Sequence, residues 1–210
     1  MVEHSVVSSL DNQTIGIVFP IYAWGAPELV LEFVKKLVGE PVFTFGVCTC
    51  GSEAGDAMEK LSAIFHLDST YSVAMPSNYI MGSAVESRKI IVSKIAKAKE
   101  KLKTIAAQIV AKQTIVDVNK GKSPWIKSTL ANLGFNKFSR STKPFYVTDK
   151  CTSCGQCAKN CPANTIRIVD GKPHWSEKCY QCTSCINRCP ESAIEYGKET
   201  STRGRYEFTE

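Results

Sequence analysis

No apolar run in this 210-residue chain approaches the roughly 20 residues a helix needs to cross a bilayer, so a helical membrane span is not expected. The N-terminus lacks a basic segment followed by an apolar stretch. A secretory signal is therefore not expected, and the reading is a reducing, cytoplasmic setting. No nucleic-acid-binding motif is present. No acid–base pair or nucleophile has an identifiable partner in the sequence, so no particular substrate chemistry is assigned from it. Acidic residues are missing altogether from 123–144, where four basic residues stand.

The net charge of +6 is unevenly spread. Residues 1–83 carry a net −6, and 84–122 a net +7 from ten Lys/Arg and three acids. A basic stripe of this kind invites a nucleic-acid reading. Without a motif it is better read as the solvated face of a Lys-rich helix. A docking surface for an acidic redox partner is the remaining alternative. Hydrophobic content of 43% and charged content of 22% are ordinary for a globular chain with room for one or two domains.

Cysteine is plentiful and ordered. Cys151, Cys154, Cys157 and Cys161 precede Pro162, and Cys179, Cys182, Cys185 and Cys189 precede Pro190. Each run reads C-x2-C-x2-C-x3-C-P, the thiolate spacing that holds a [4Fe–4S] cluster. Three cysteines at intervals of three wrap one side of a cubane, and the fourth reaches the other cluster. The expected ligand sets are therefore crossed: Cys151, Cys154, Cys157 and Cys189 for one, Cys179, Cys182, Cys185 and Cys161 for the other. Each cysteine of the first run recurs 28 positions later, the mark of a duplicated half-domain. Zinc ribbons use paired C-x2-C, and disulfides suit secreted chains; neither explains a triple spacing occurring twice. Cys48 and Cys50 read as small buried thiols.

Upstream, short apolar strands at 15–19, 42–47 and 71–75 alternate with helices at 27–38, 56–65 and 87–119. Val6 and Val7 could end an earlier strand. Strands apolar along their length imply an α/β unit with a parallel sheet covered on both faces. Ligands bind such sheets at the loops after the strands' C-terminal ends. One such loop holds Tyr22, Ala23, Trp24 and Gly25, and the next runs through Thr49, Cys50, Gly51 and Ser52 to Gly55. Aromatic rings beside a small-residue loop suggest a flavin site; Trp24 packing at a helix start is the plainer alternative.

The stretches from Gly16 to Pro27, Thr49 to Gly55, Met75 to Ile80 and Thr202 to Tyr206, with the double cysteine run, resemble the flavodoxin–ferredoxin fusion proteins of anaerobes, often called ferrodoxins. The resemblance implies FMN in the N-terminal domain, flanked by the Trp24 loop and the Thr49–Gly55 loop. The family's first strand and phosphate-cradling loop do not precede Ile15. A start upstream of Met1, a shortened flavin-free protein, and a strand supplied by another chain each account for this. The chain as given is expected to bind FMN weakly. The fold class expected is a flavodoxin-like parallel sheet lacking its first strand and phosphate loop, followed by a small α+β 2[4Fe–4S] ferredoxin domain.

The expected boundaries are 1–120 for the first domain, 121–144 for a packed linker and 145–210 for the cluster domain. A short amphipathic helix over 125–133 is expected to bury Trp125 and tie the domains together. Strands are expected at 145–147, 166–169 and 194–196, with a turn at Asp170-Gly171 leading to His174-Trp175. Ile166, Ile168, Ile186 and Ile194 are expected around the clusters, and His174 at the surface. The function implied is one-electron transfer through two clusters, to or from FMN if it binds. A flavin-dependent reductase and a flavin-free ferredoxin with a docking module are the alternatives.

Overall fold

The computed structural model describes residues 10–177 and 179–208, so Val6 and Val7 lie outside the described residues. The chain divides into two compact units. Of the described residues, one is formed by 10–76 together with 88–136, the other by 77–87 together with 137–177 and 179–208. Two segments thus fall elsewhere than a division at 120 and 144 would put them. Residues 121–136 belong with the first unit, and 77–87 with the cysteine runs.

The first unit is α/β. Strands β1 (Thr14–Pro20), β2 (Phe43–Cys50), β3 (Ser69–Ala74) and β4 (Val116–Asp117) form one sheet in the order β1-β2-β3-β4. All three pairings are parallel. Helices α1 (Glu28–Val34), α2 (Ala57–Ser62) and α3 (Arg88–Val110) connect the strands. β2 and β3 are nearly continuously buried, with Thr44, Ser69, Thr70 and Ser72 among their buried residues. β1 alternates instead: Ile17 and Phe19 are buried while Val18 is 67% exposed. An apolar run on an edge strand reads like a central one, because neighbours decide which face is covered.

The helices are shorter than the apolar spacing predicts. Pro27 caps α1, and the last turn frays beyond Val34, leaving Phe33 and Val38 exposed. α2 ends before Ile64, which is also exposed. The long basic helix stops at Val110 instead of running to 119. Lys112 takes a left-handed φ of 47°, and the chain turns into β4. Ala98 and Ile105 are the buried residues of α3, so its lysines form a solvated face. Among the described residues no helix is long and apolar enough to cross a membrane.

The 121–136 stretch is helical, but it does not bury its apolar side. α4 (Pro124–Ile126) leads into a π-helical turn, Lys127–Ala131, and then α5 (Asn132–Gly134). The Asn132 N–H bonds to the Lys127 carbonyl, the i→i+5 pattern that brings residues five apart towards one side. That side docks through polar atoms. Trp125 is 63% exposed, with Ile126, Leu130 and Leu133 exposed beside it. Apolar residues in a linker signal helix here, but not the direction in which it docks.

The second unit holds two small antiparallel sheets. β5 (Phe145–Val147) pairs with β8 (Ile194–Tyr196), and β6 (Ile166–Val169) pairs with β7 (Lys172–Trp175) through the Asp170-Gly171 turn. Phe145 stacks on Trp175 at 4.8 Å and meets Tyr196 edge-on at 4.9 Å. Short helices α6 (Gln156–Lys159) and α7 (Ser184–Asn187) follow the two cysteine loops. The apolar core is small: Ile80, Ile186 and Ile194 are buried, with Cys157, Cys185 and Cys189 packed against them.

Candidate metal centre

The duplication seen in the sequence recurs in the backbone. Ser153 and Gln181 have φ of 60° and 58°, and Gly155 and Thr183 have 73° and 59°. Asn164 and Ser192 have 50° and 47°. Each pair is 28 positions apart. Left-handed residues within and just after each cysteine run curl the backbone in the same way in both copies. The Thr165 N–H donates to Cys161 Sγ at 3.4 Å, and the Ala193 N–H to Cys189 Sγ at 3.3 Å. The Gln181 N–H donates to Cys179 Sγ at 3.2 Å.

Each loop encloses its own cavity. One is lined by Cys151, Cys154, Cys157 and Cys189, with Ile168, Pro173 and Ile194. The other is lined by Cys179, Cys182, Cys185 and Cys161, with Phe145, Ile166 and Trp175. Among the described residues, no three His, Cys, Asp or Glu side chains converge closely enough to hold a single metal ion. Four thiols around a space, rather than around a point, suit a cubane better than zinc. Ile186 departs from expectation: it lies in the apolar core with Ile80 and Ile194. His174 is exposed on β7.

Burial pushes the thiols of Cys157, Cys179, Cys182 and Cys185 above their ordinary range. Such groups stay protonated at neutral pH unless a bound metal favours the thiolate, so loading these sites releases protons.

The two loops are covered very differently. Cys154 is exposed, as are Thr152, Ser153 and Gln156 around it. In the second loop Gln181 and Thr183 are 3% and 2% exposed. The cover comes from distant parts of the chain. The Thr183 hydroxyl and the Asn187 side-chain amide donate to the Asn78 carbonyl at 3.0 and 2.9 Å. The Gln181 amide donates to the Ser141 carbonyl at 3.3 Å, and Arg140 Nε to the Cys179 carbonyl at 2.7 Å. None of these covering residues carries a spacing signal. Asn78 follows β3 in sequence, and Arg140 and Ser141 precede β5.

The loops expected to flank a flavin do lie side by side, at the ends of β1 and β2, but Thr49 and Cys50 are inside β2 rather than on its loop. Burial, reinforced by Cys50, pushes the Cys48 thiol up to about 12, which fits an inert packing role. The Tyr22–Gly25 turn is held by reciprocal backbone bonds of 2.9 and 3.0 Å, with Ala23 and Trp24 at φ 45° and 59°. Trp24 Nε1 donates to Glu53 at 3.0 Å, and Lys127 pairs with the same carboxylate while its Nζ lies 5.7 Å from the Trp24 ring centre. Lys127 holds the Glu53 carboxyl below its usual range.

Asn132 donates its amide to the Tyr22 and Ala23 carbonyls at 3.2 and 3.0 Å. The Asp56 N–H donates to Ser128 Oγ at 2.7 Å, and a Cβ on Gly55 would overlap that oxygen. Lys94 and the Asn119 side chain donate to the Gly51 and Ser52 carbonyls, each at 2.9 Å. The Tyr22, Ala23, Gly51 and Ser52 carbonyls and the Asp56 N–H are thus engaged by 127–132, Lys94 or Asn119.

No curated protein matches the chain. Residues 147–199, which hold all eight clustered cysteines, match the family described as the 4Fe-4S dicluster domain, and this supports a ferredoxin-like domain of the iron–sulfur electron-transfer type in the C-terminal part.

Proposed function

We propose that this protein is an electron carrier whose two [4Fe–4S] sites have crossed ligands. Cys151, Cys154, Cys157 and Cys189 hold one; Cys179, Cys182, Cys185 and Cys161 hold the other. The observation that carries this is the division of eight thiols between two separate cavities, each with three cysteines from one run and the fourth from the other. A bound cluster supplies reversible one-electron chemistry. The chain's part is to grip it with thiolates, aim backbone N–H groups at the sulfurs and exclude water with Ile166, Ile194, Phe145 and Trp175. Redox partner proteins are expected at the exposed Cys154 loop, where the protein wall is thinnest.

The parallel β1-β2-β3-β4 order supports an α/β reading of the first unit, with β1 paired directly to β2 and no gap where the first strand of a 2-1-3-4-5 sheet would stand. With its ligand loops occupied by the chain's own side chains, that domain is read as a flavin-free module. A flavin-dependent reductase finds no support in this geometry.

The test is anaerobic preparation followed by iron and sulfide analysis. About eight of each per chain are expected, falling by half in Cys161→Ser and, separately, in Cys189→Ser. Four irons or fewer in the unsubstituted protein, or zinc in their place, refutes the proposal.

A further inference from the structure

The two cysteine loops are copies in sequence and in backbone, yet their electrostatic surroundings differ. At the second loop, Arg140 Nε donates to the Cys179 carbonyl at 2.7 Å from a partly buried position. Its guanidinium carbon lies 5.2 Å from the Tyr180 ring centre, which fixes the planar group over that loop. Ser141, the next residue, anchors the same strap by accepting from Gln181 and from the Tyr196 hydroxyl at 3.3 and 3.2 Å. At the equivalent place on the first loop, the Cys151 carbonyl accepts from Lys172 Nζ at 3.4 Å, on an exposed side chain. The first cation is half-buried and held by the hydrogen bond and the ring; the second is on an exposed side chain and is screened by solvent.

Resting on the cluster assignment above, we propose that Arg140 raises the reduction potential of the site formed by Cys179, Cys182, Cys185 and Cys161, and so makes the two chemically similar sites unequal. Reduction adds negative charge to a cluster. A fixed positive charge and a hydrogen bond that withdraws density from a ligand residue's carbonyl both favour that added charge. The covered site then holds an electron more firmly than the open one. An outside partner exchanges with the exposed Cys154 loop, and the covered site serves as the inner reservoir. Arg140 lies outside the segment that matches the dicluster family, so this inequality is supplied by residues preceding β5 and not by the cysteine motif.

The experiment is a spectroelectrochemical titration of the full chain, comparing unsubstituted protein with Arg140→Gln, Arg140→Lys and Lys172→Gln, each checked for iron content. Arg140→Gln is expected to keep about eight irons and to weaken reduction of one site by at least tenfold, about 59 mV for one electron. The other site is expected to move less than twofold. Arg140→Lys restores part of the difference, and Lys172→Gln moves neither site more than about twofold by the same relation. Unchanged potentials in Arg140→Gln, or equal shifts in both sites, overturn the proposal. If Arg140→Gln loses iron, Arg140→Met replaces it, and iron loss in both variants overturns the proposal in favour of a purely structural role. About four irons or zinc in the unsubstituted protein refutes instead the cluster assignment beneath it.

Discussion

Asn132 reaches the backbone of Tyr22 and Ala23 with a single amide, at 3.2 and 3.0 Å, across 110 and 109 positions of sequence. Two left-handed residues, Ala23 and Trp24, are held in a tight turn at that point. Non-glycine residues in this region cost of order 1 kcal/mol each or more, so the turn needs outside support. The π-helical turn supplies it by presenting Lys127, Ser128 and Asn132 together.

The polar side of this helix, and not its tryptophan, is therefore expected to stabilise the first unit. Ser128→Ala leaves the Asp56 N–H without its partner in a buried place and is expected to cost about 1–3 kcal/mol. Trp125→Ala, at a largely exposed position, is expected to stay within about 0.5 kcal/mol. Urea denaturation of the two variants side by side decides it. A larger loss for Trp125→Ala would mean that the apolar face is buried in solution.

Backbone conformation gives a second pair of variants with opposite signs. Gly55 has φ 62° and lies against Ser128 and Trp24, so Gly55→Ala is expected to destabilise by about 2 kcal/mol or more, from strain and overlap together. Ala23→Gly relieves a residue at φ 45° and is expected to be neutral or stabilising despite the added chain entropy. Thermal melts of both are sufficient. A destabilised Ala23→Gly would show that the methyl group's packing matters more than its strain.

Much of the second unit was legible from residue spacing, because thiolate geometry leaves few alternatives. The strands at 145–147, 166–169 and 194–196 and the Asp170-Gly171 turn stand where the sequence puts them. The alternation of strands and helices in the first unit was legible as far as α3, but β4 was not, because the Lys-rich pattern reads as one helix to 119. Edge and cover were not. Val18 and Phe19 look alike in sequence, yet one is exposed and the other buried, since only the neighbouring strand and helices decide. Arg140 and Asn78 were equally hidden. They act through a side chain and a carbonyl placed by folding, with no periodicity to announce them.

A single carboxylate ties the start of β2 to that of β3. The Thr44 N–H and hydroxyl donate to Asp68 at 2.7 and 2.9 Å, and His66 lies 3.3 Å from its other oxygen. Burial alone would push this acid up. The hydrogen bonds from Thr44 outweigh it and hold the carboxyl below its usual range. A lowered folded-state pKa means that the contribution is complete above the unfolded value of about 3.9 and is lost as pH falls through the folded value. Asp68→Asn is expected to lower Tm at pH 7 and to flatten its fall in acid. Parallel melting curves for both proteins from pH 7 to acid would remove Asp68 as the cause.

Glu195 and Arg205 form the buried ion pair of the second unit, at 2.7 Å with side chains 7% and 16% exposed. Thr200 also donates to the carboxylate, and Arg205 donates to the carbonyls of Ile194 and Thr200 at 3.1 and 2.9 Å. Arg205→Ala strands a buried charge and is expected to cost about 3–5 kcal/mol. Pairing it with Glu195→Gln should recover part of that loss, because the remaining partner is then neutral. Denaturation of the single and double variants, with iron content confirmed, measures the recovery. A double variant as unstable as the sum of its parts would locate the cost in lost hydrogen bonds rather than in the stranded charge.

Removal of iron tests how much of the second unit stands by itself. Its buried apolar side chains are few, with Ile80, Ile186 and Ile194 at the centre and three cysteines among their neighbours. A core of that size offsets little chain entropy, and where a metal site forms only in the folded state its binding energy becomes folding energy. The first unit buries a larger set around Phe19, Cys48, Met58 and Leu61, together with Tyr71 and Val73. Chelation under anaerobic, reducing conditions is therefore expected to abolish amide protection across 145–199 while strands β1 to β3 keep theirs. Hydrogen exchange read by mass spectrometry resolves the two regions in one sample. Protection retained at Ile166–Val169 and Ile194–Tyr196 after all iron has left would show that the aromatic and isoleucine contacts suffice, and that the cysteines are held in place before any metal arrives.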